Sequence, residues 1–157
     1  MDVTIMPAIT LLIKQLKTDY PDLSFVISDS FMWSADKKTV FIDHSQPNAT
    51  SYCLHELSHA ILNHNNYRRD MDLMKLERDA WEYAYTTLAP HYTIKIPSDV
   101  VQDNLDTYRD WLHARSTCPS CQATGLQTSE KAYKCLACGQ MWHVNEARIC
   151  ALRRYKR

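Results

Sequence analysis

Glycine is scarce in this chain, with two residues in 157, which excludes the flexible linkers and low-complexity tracts that accompany disorder. No apolar run reaches the roughly 18 residues a membrane span needs. The most apolar stretch near the start, Ile5 to Ile13, follows Asp2 and has neither a basic segment before it nor a small-residue cleavage site after it. It does not read as a secretory leader, so the expectation is a cytoplasmic protein without membrane contact. Internal repeats are absent too. Cysteine, by contrast, is present six times. In a reducing compartment, six cysteines argue for thiols and metal ligation over a disulfide framework.

A length of 157 residues with 45% hydrophobic and 23% charged content suits one modest core with a metal-stapled module appended. Net charge is also lacking overall, but its halves differ: residues 1–114 carry a formal −6 and residues 115–157 carry +6. This predicts two domains, 1–114 and 115–157. The basic one would either contact nucleic acid or dock on an acidic surface.

Apolar residues at helical spacing from Thr4 to Asp19 (Ile5, Ile9, Leu12, Ile13, Leu16) predict a packing helix ended by Tyr20-Pro21. Three β-rich runs, 25–27, 31–33 and 39–42, predict a small antiparallel meander. A helix capped by Asn48 or Thr50 runs to about His64, burying Leu54, Leu57 and Ile61. A second is predicted from Asp70 to Leu88 with a stop at Pro90, followed by a brief strand at 92–96. A third, capped by Ser98 or Asp99, carries Val101, Leu105, Tyr108, Trp111 and Leu112 on its apolar stripe. The fold class is therefore α+β.

The first of these three helices contains His55-Glu56-Leu57-Ser58-His59. The i, i+4 spacing puts two imidazoles on one face, and the offset of Glu56 keeps its carboxylate off the metal and beside a water. Two histidines make an incomplete zinc site, so a third protein ligand is needed, leaving one position for water. His64 stands one residue short of the last histidine of the extended HExxHxxGxxH pattern, whose glycine is missing as well, and that pattern is rejected. Glu77 shares a helical face with Ala80, Ala84 and Leu88, so it points toward the core, where a carboxylate needs a partner such as zinc. Asp79 and Glu82 point elsewhere and are solvated or support the ligands. Tyr52, His64 and Tyr67 are near enough in sequence to be considered as oxyanion donors, with a structural role the simpler reading for each.

The series His55-Glu56-Leu57-Ser58-His59-Ala60 followed by Glu77-Arg78-Asp79-Ala80-Trp81-Glu82-Tyr83-Ala84, with Leu88 and Pro90 beyond, resembles the ImmA/IrrE metallopeptidase pattern. That pattern couples HELxHA to a downstream ExxAxx-aromatic-Ala helix. The resemblance spans roughly residues 25–90. It implies His55, His59 and Glu77 as ligands of a catalytic zinc, Glu56 as catalytic residue, and a compact gluzincin-like metallopeptidase fold with a small sheet flanking the motif helix. Ser58 stands where glycine is commonest, and the DNA-binding helix-turn-helix of some relatives is missing.

Cys118-Pro119-Ser120-Cys121 and Cys135-Leu136-Ala137-Cys138, thirteen residues apart, form a four-thiolate signature. It predicts a structural zinc in a zinc ribbon over about 116–145, with strands near 125–128 and 132–134. His143 could replace a cysteine, but four thiols suffice. Cys53 and Cys150 remain as buried free thiols. The tail Arg153-Arg154-Tyr155-Lys156-Arg157 has the composition of a phosphate-contacting cluster or of a solvated charge run.

Together these readings predict two zinc ions per chain and a zinc endopeptidase. By resemblance, its protein substrate is a transcriptional repressor or other regulator, with possible nucleic-acid contact through the basic module. One alternative is a SprT-like protease acting on DNA-bound proteins, whose third ligand would be His64 or His91. The other is a non-catalytic adaptor binding nucleic acid or protein.

Overall fold

A computed structural model describes residues 7–145 and, as backbone, 154–156. Ile5, Cys150 and most of the basic tail lie outside the described residues, as do the side chains of 154–156. The architecture is α+β. Among the described residues no helix is long and apolar enough to cross a membrane. The chain separates into two compact units, Met1–Asn65 with Asp79–Val100 and Asn66–Arg78 with Val101–Arg157. The expected boundary at 114 falls within a helix that runs from Ser98 to Ser116.

In the first unit, helix α1 (Ala8–Asp19) starts directly after Pro7 and buries Ile9, Leu12 and Leu16. The helical spacing of these residues places them on one stripe. Strands β1 (Ser24–Ile27), β2 (Met32–Ser34) and β3 (Thr39–Ile42) form one sheet in the order β1-β3-β2. β1 runs parallel to β3, with Phe25 opposite Val40, and β2 runs antiparallel to it. This corrects the expected meander. Val40 and Ile42 on β3 are fully buried, and a strand so enclosed needs hydrogen-bond partners along both edges. β3 therefore takes the centre, and β2 is displaced to the rim.

Helix α2 (Ala49–Ile61) packs on β2, β3 and α1. Asn48 sits at its N-terminus with φ of 58° and makes no side-chain cap bond. Asn48 thus holds the N-cap position as expected, but through its carbonyl, which accepts from the N–H groups of Ser51 and Tyr52, and Thr50 lies inside the helix. Asparagine tolerates the left-handed region that this turn requires.

Helix α3 (Asp70–Tyr83) passes without interruption through the division between the units. It continues as a π-helical turn (Ala84–Leu88) and then α4 (Ala89–His91). Pro90 thus does not stop the helix at its own position. The wider turn lets the Ala89 N–H reach the Ala84 carbonyl, and Pro90 falls in the first turn of α4, where no N–H is needed. No strand forms at 92–96.

The second unit holds the start of α3, most of α5 (Ser98–Ser116), and a four-stranded sheet in the order β4-β5-β6-β7. Its strands are β4 (Leu126–Ser129), β5 (Ala132–Lys134), β6 (Met141–Val144) and β7 (Arg154–Lys156). Trp142 and Tyr133 stack with ring centres 5.5 Å apart, against Cys118, Cys135 and Val144. Behind them Asp70, 1% exposed, accepts from Arg115 Nε at 2.7 Å and from the Tyr133 hydroxyl. The backbone N–H of Asp70 donates to Gln127 Oε1 at 2.8 Å, which caps α3 from a remote strand. Burial, and then the bond to Asp70, push the Tyr133 hydroxyl well above its usual pKa. It remains a neutral donor.

Gly125 lies under the Trp142 indole: a Cβ there would stand 2.2 Å from its ring. Gly125→Ala is expected to cost about 1–3 kcal/mol by overpacking, read as a lower urea midpoint at fixed metal content. An unchanged midpoint would show that Trp142 can move aside.

Candidate metal centres

On α2, one helical turn separates His55 from His59, and both rings are buried. Their Nε2 atoms lie 3.2 Å apart. Glu77, on α3 one turn before Trp81, is 4% exposed. One ligand atom from each of His55, His59 and Glu77 falls within 4.8 Å of the others. The face predicted for Glu77 is the buried one, since Ala80, Ala84 and Leu88 are all core residues. Asp79 is half-buried and Glu82 exposed, and neither belongs to this group.

The donor set fits a divalent cation. Two imidazole nitrogens bound tetrahedrally at about 2.0–2.1 Å would stand about 3.3 Å apart, close to the 3.2 Å here. A buried carboxylate grouped with two imidazoles is a set of ligand types that a divalent cation can take.

Packing sets the ring of His55. It stacks on Trp81 with centres 4.2 Å apart and planes 17° from parallel, and Trp81 in turn meets Tyr52 edge-on at 5.8 Å. Tyr52 also packs against Phe31, so its ring belongs to this aromatic stack. Ser58 is fully buried and donates to the Leu54 carbonyl at 2.8 Å. Its hydroxyl is satisfied inside the helix and stays out of the site.

His59 Nδ1 lies 2.9 Å from His64 Nδ1, on the far side of the ring from Nε2. His64 therefore faces the back of the His59 ring and does not join the group, and His91 is exposed. Glu56 occupies the half-buried position between the two histidines on the same helix. The structural role that the sequence favours for His64 over that of a ligand or an oxyanion donor carries no indication of this contact, nor does the sequence indicate the Trp81 stack. The position of His64 just past the helix end was the one available signal.

The second group is Cys118, Cys121, Cys135 and Cys138, with all four sulfurs within 4.8 Å. Cys121–Cys135 and Cys118–Cys138 sulfur separations are 3.5 and 3.7 Å, close to the edge of about 3.8 Å for a tetrahedron with 2.3 Å bonds. All four are free thiols. The two knuckles repeat one backbone design: Gln122 N–H bonds the Cys118 carbonyl and Gly139 N–H the Cys135 carbonyl, both at 3.0 Å. The residue after each second cysteine is left-handed, Gln122 at φ 63° and Gly139 at 79°.

Although burial opposes ionisation of Cys118, N–H groups of Cys121 and Ser120 and the thiols of Cys138 and Cys121 bring it down to about 6. Cys135 is lowered as well, first by the Cys138 N–H. At Cys121 the Ala123 N–H favours the thiolate, yet the neighbouring thiols of Cys135, Cys138 and Cys118, with burial, raise it to about 12. Thiols this crowded share protons, and a cation would replace them. Cys53 stands apart from both groups, its thiol pushed up to about 12 by burial and then by Glu56. His143 belongs to neither group.

Comparison with protein-family models, with curated proteins and with solved structures gave no match.

The two groups should load independently. His55→Ala or Glu77→Ala is expected to remove the cation of the first group and leave that of the thiols, and Cys135→Ser to do the reverse, as read by metal analysis after dialysis. A metal content insensitive to His55 would detach that residue from cation binding.

Proposed function

We propose that the chain is a zinc-dependent endopeptidase with two zinc ions, one in each group, and that the thiol-held zinc is structural. The observation that carries this reading is the buried His55–His59–Glu77 group with Glu56 between the two histidines on one helix. Two nitrogens and one carboxylate leave a fourth tetrahedral position open, the arrangement of a catalytic site. Four thiolates leave none.

A zinc ion in the first group would supply a Lewis acid that polarises a peptide carbonyl and makes water more acidic. Glu56 takes a proton from the attacking water as the new C–O bond forms at the carbonyl carbon, and then delivers it to the amine nitrogen, on which the amide C–N bond breaks. His55, His59 and Glu77 stay fixed throughout, held by the burial described above.

Strand β2 supports a peptide as substrate. The order β1-β3-β2 leaves its outer edge open among the described residues, and α2 packs against it. An extended chain adding there would gain affinity from backbone hydrogen bonds alone. The resemblance to the ImmA/IrrE pattern favours a regulatory protein, such as a DNA-binding repressor, as that substrate. The ribbon, with the basic tail beyond it, would then recognise the substrate or the nucleic acid it occupies.

Glu56→Gln is expected to keep both metals while lowering cleavage by at least about 100-fold. Expressed in cells, this variant should retain a protein that the unaltered chain cuts when the two are mixed. Undiminished cleavage by Glu56→Gln would end the proposed mechanism.

A further inference from the structure

The end of α2 folds back on the histidine that lies one turn inside it. Asn63 adopts a left-handed conformation at φ 54°. Its N–H bonds the Ala60 carbonyl at 3.2 Å, and the N–H of His64 bonds the His59 carbonyl at 2.9 Å. These are the paired bonds of a Schellman cap, with Asn63 as its left-handed residue. The cap brings His64 over the last turn, where its ring meets the ring of the same His59, Nδ1 to Nδ1 at 2.9 Å. His59 is thus gripped by both the backbone and the side chain of His64. On the other side, Trp33 Nε1 on β2 donates to the His64 carbonyl at 3.2 Å.

We propose that His64 is a positioning residue that fixes the ring orientation and the tautomer of His59, with Trp33 anchoring His64 to the sheet. The inference rests on the cation-binding half of the proposed function and not on peptide hydrolysis. Two ring nitrogens at 2.9 Å share one proton, so one donates and the other accepts. If His59 Nε2 gives its lone pair to a cation, the His59 proton must sit on Nδ1 and donate to His64 Nδ1. His64 is then neutral, with its own proton on Nε2. The outer nitrogen of a metal-bound histidine is commonly held by a carboxylate or a carbonyl, and here a second imidazole takes that place.

Metal affinity measured by chelator competition, together with the visible spectrum of the cobalt-substituted protein, tests this without reference to activity. His64→Leu removes the acceptor and should weaken cobalt and zinc binding at the His55-dependent site by about 10- to 100-fold, with an altered cobalt spectrum. His64→Asn carries Oδ1 near the place of the histidine Nδ1 and should restore most of the affinity and the spectrum. Trp33→Phe keeps an aromatic ring but loses the donor, and should weaken binding less than His64→Leu.

The thiol-held metal and the thermal midpoint report whether each variant is folded. A folded His64→Leu that binds like the unaltered chain, or a His64→Asn as weak as His64→Leu, overturns the proposal. If the unaltered chain binds no cation that His55→Ala removes, the cation-site reading itself falls and takes this inference with it.

Discussion

Glu77 is a buried carboxylate grouped with two buried imidazoles, and the burial of these polar groups is the condition the surrounding packing has to meet. An isolated buried carboxylate costs on the order of several kcal/mol unless charge or hydrogen bonds compensate. Ala80, Trp81 and Ala84 keep water from its helix, while Leu54 and Leu57 do the same for the helix that carries the histidines. Within that apolar setting the two imidazole Nε2 atoms face each other at 3.2 Å. Apolar packing would gain nothing from placing three polar side chains together. A cation could be held among the three, and the same packing that buries them limits their movement.

A second buried carboxylate is met with different chemistry. Asp70 is as deeply buried as Glu77, but Arg115 and Tyr133 supply its charge and hydrogen bonds. Breaking such a pair by removing one partner is strongly destabilising, which ties the start of α3 to α5 and the ribbon strands. Trp142 donates to the Arg115 carbonyl at 2.9 Å and occupies the space that Gly125 leaves open, so the ribbon core and the ion pair share one set of contacts. The four thiols present a third case, in which lowered and raised thiols share protons within one cluster.

Much of the candidate sites was legible because it is local. Helical periodicity alone puts His55 and His59 on one face, and the stripe of Ala80, Ala84 and Leu88 shows which way Glu77 points. Two CxxC pairs at ribbon spacing fold into matching knuckles, and Gly139 marked one left-handed turn; Gln122 gave no such mark, because its conformation is imposed by the bond from its N–H to the Cys118 carbonyl. The β meander was misread because alternation identifies strands and not their neighbours. Pro90 was misread as a stop because a π-helical turn relocates it to a position where its missing N–H is harmless.

By itself the sequence determined the main helices, most of the strands and the chemistry of their faces, since side-chain direction follows from helix and strand period within a few residues. It could not determine which distant faces meet. Only the tertiary structure placed Glu77 beside His55 and His59, set β1 parallel to β3, and turned His64 onto the back of His59 with its carbonyl accepting from the Trp33 indole N–H. The first two depend on contacts between segments far apart in the chain, and the third joins a local helix cap to the distant Trp33. Such contacts are selected by the burial and hydrogen-bond satisfaction of the whole fold, and no local pattern records them.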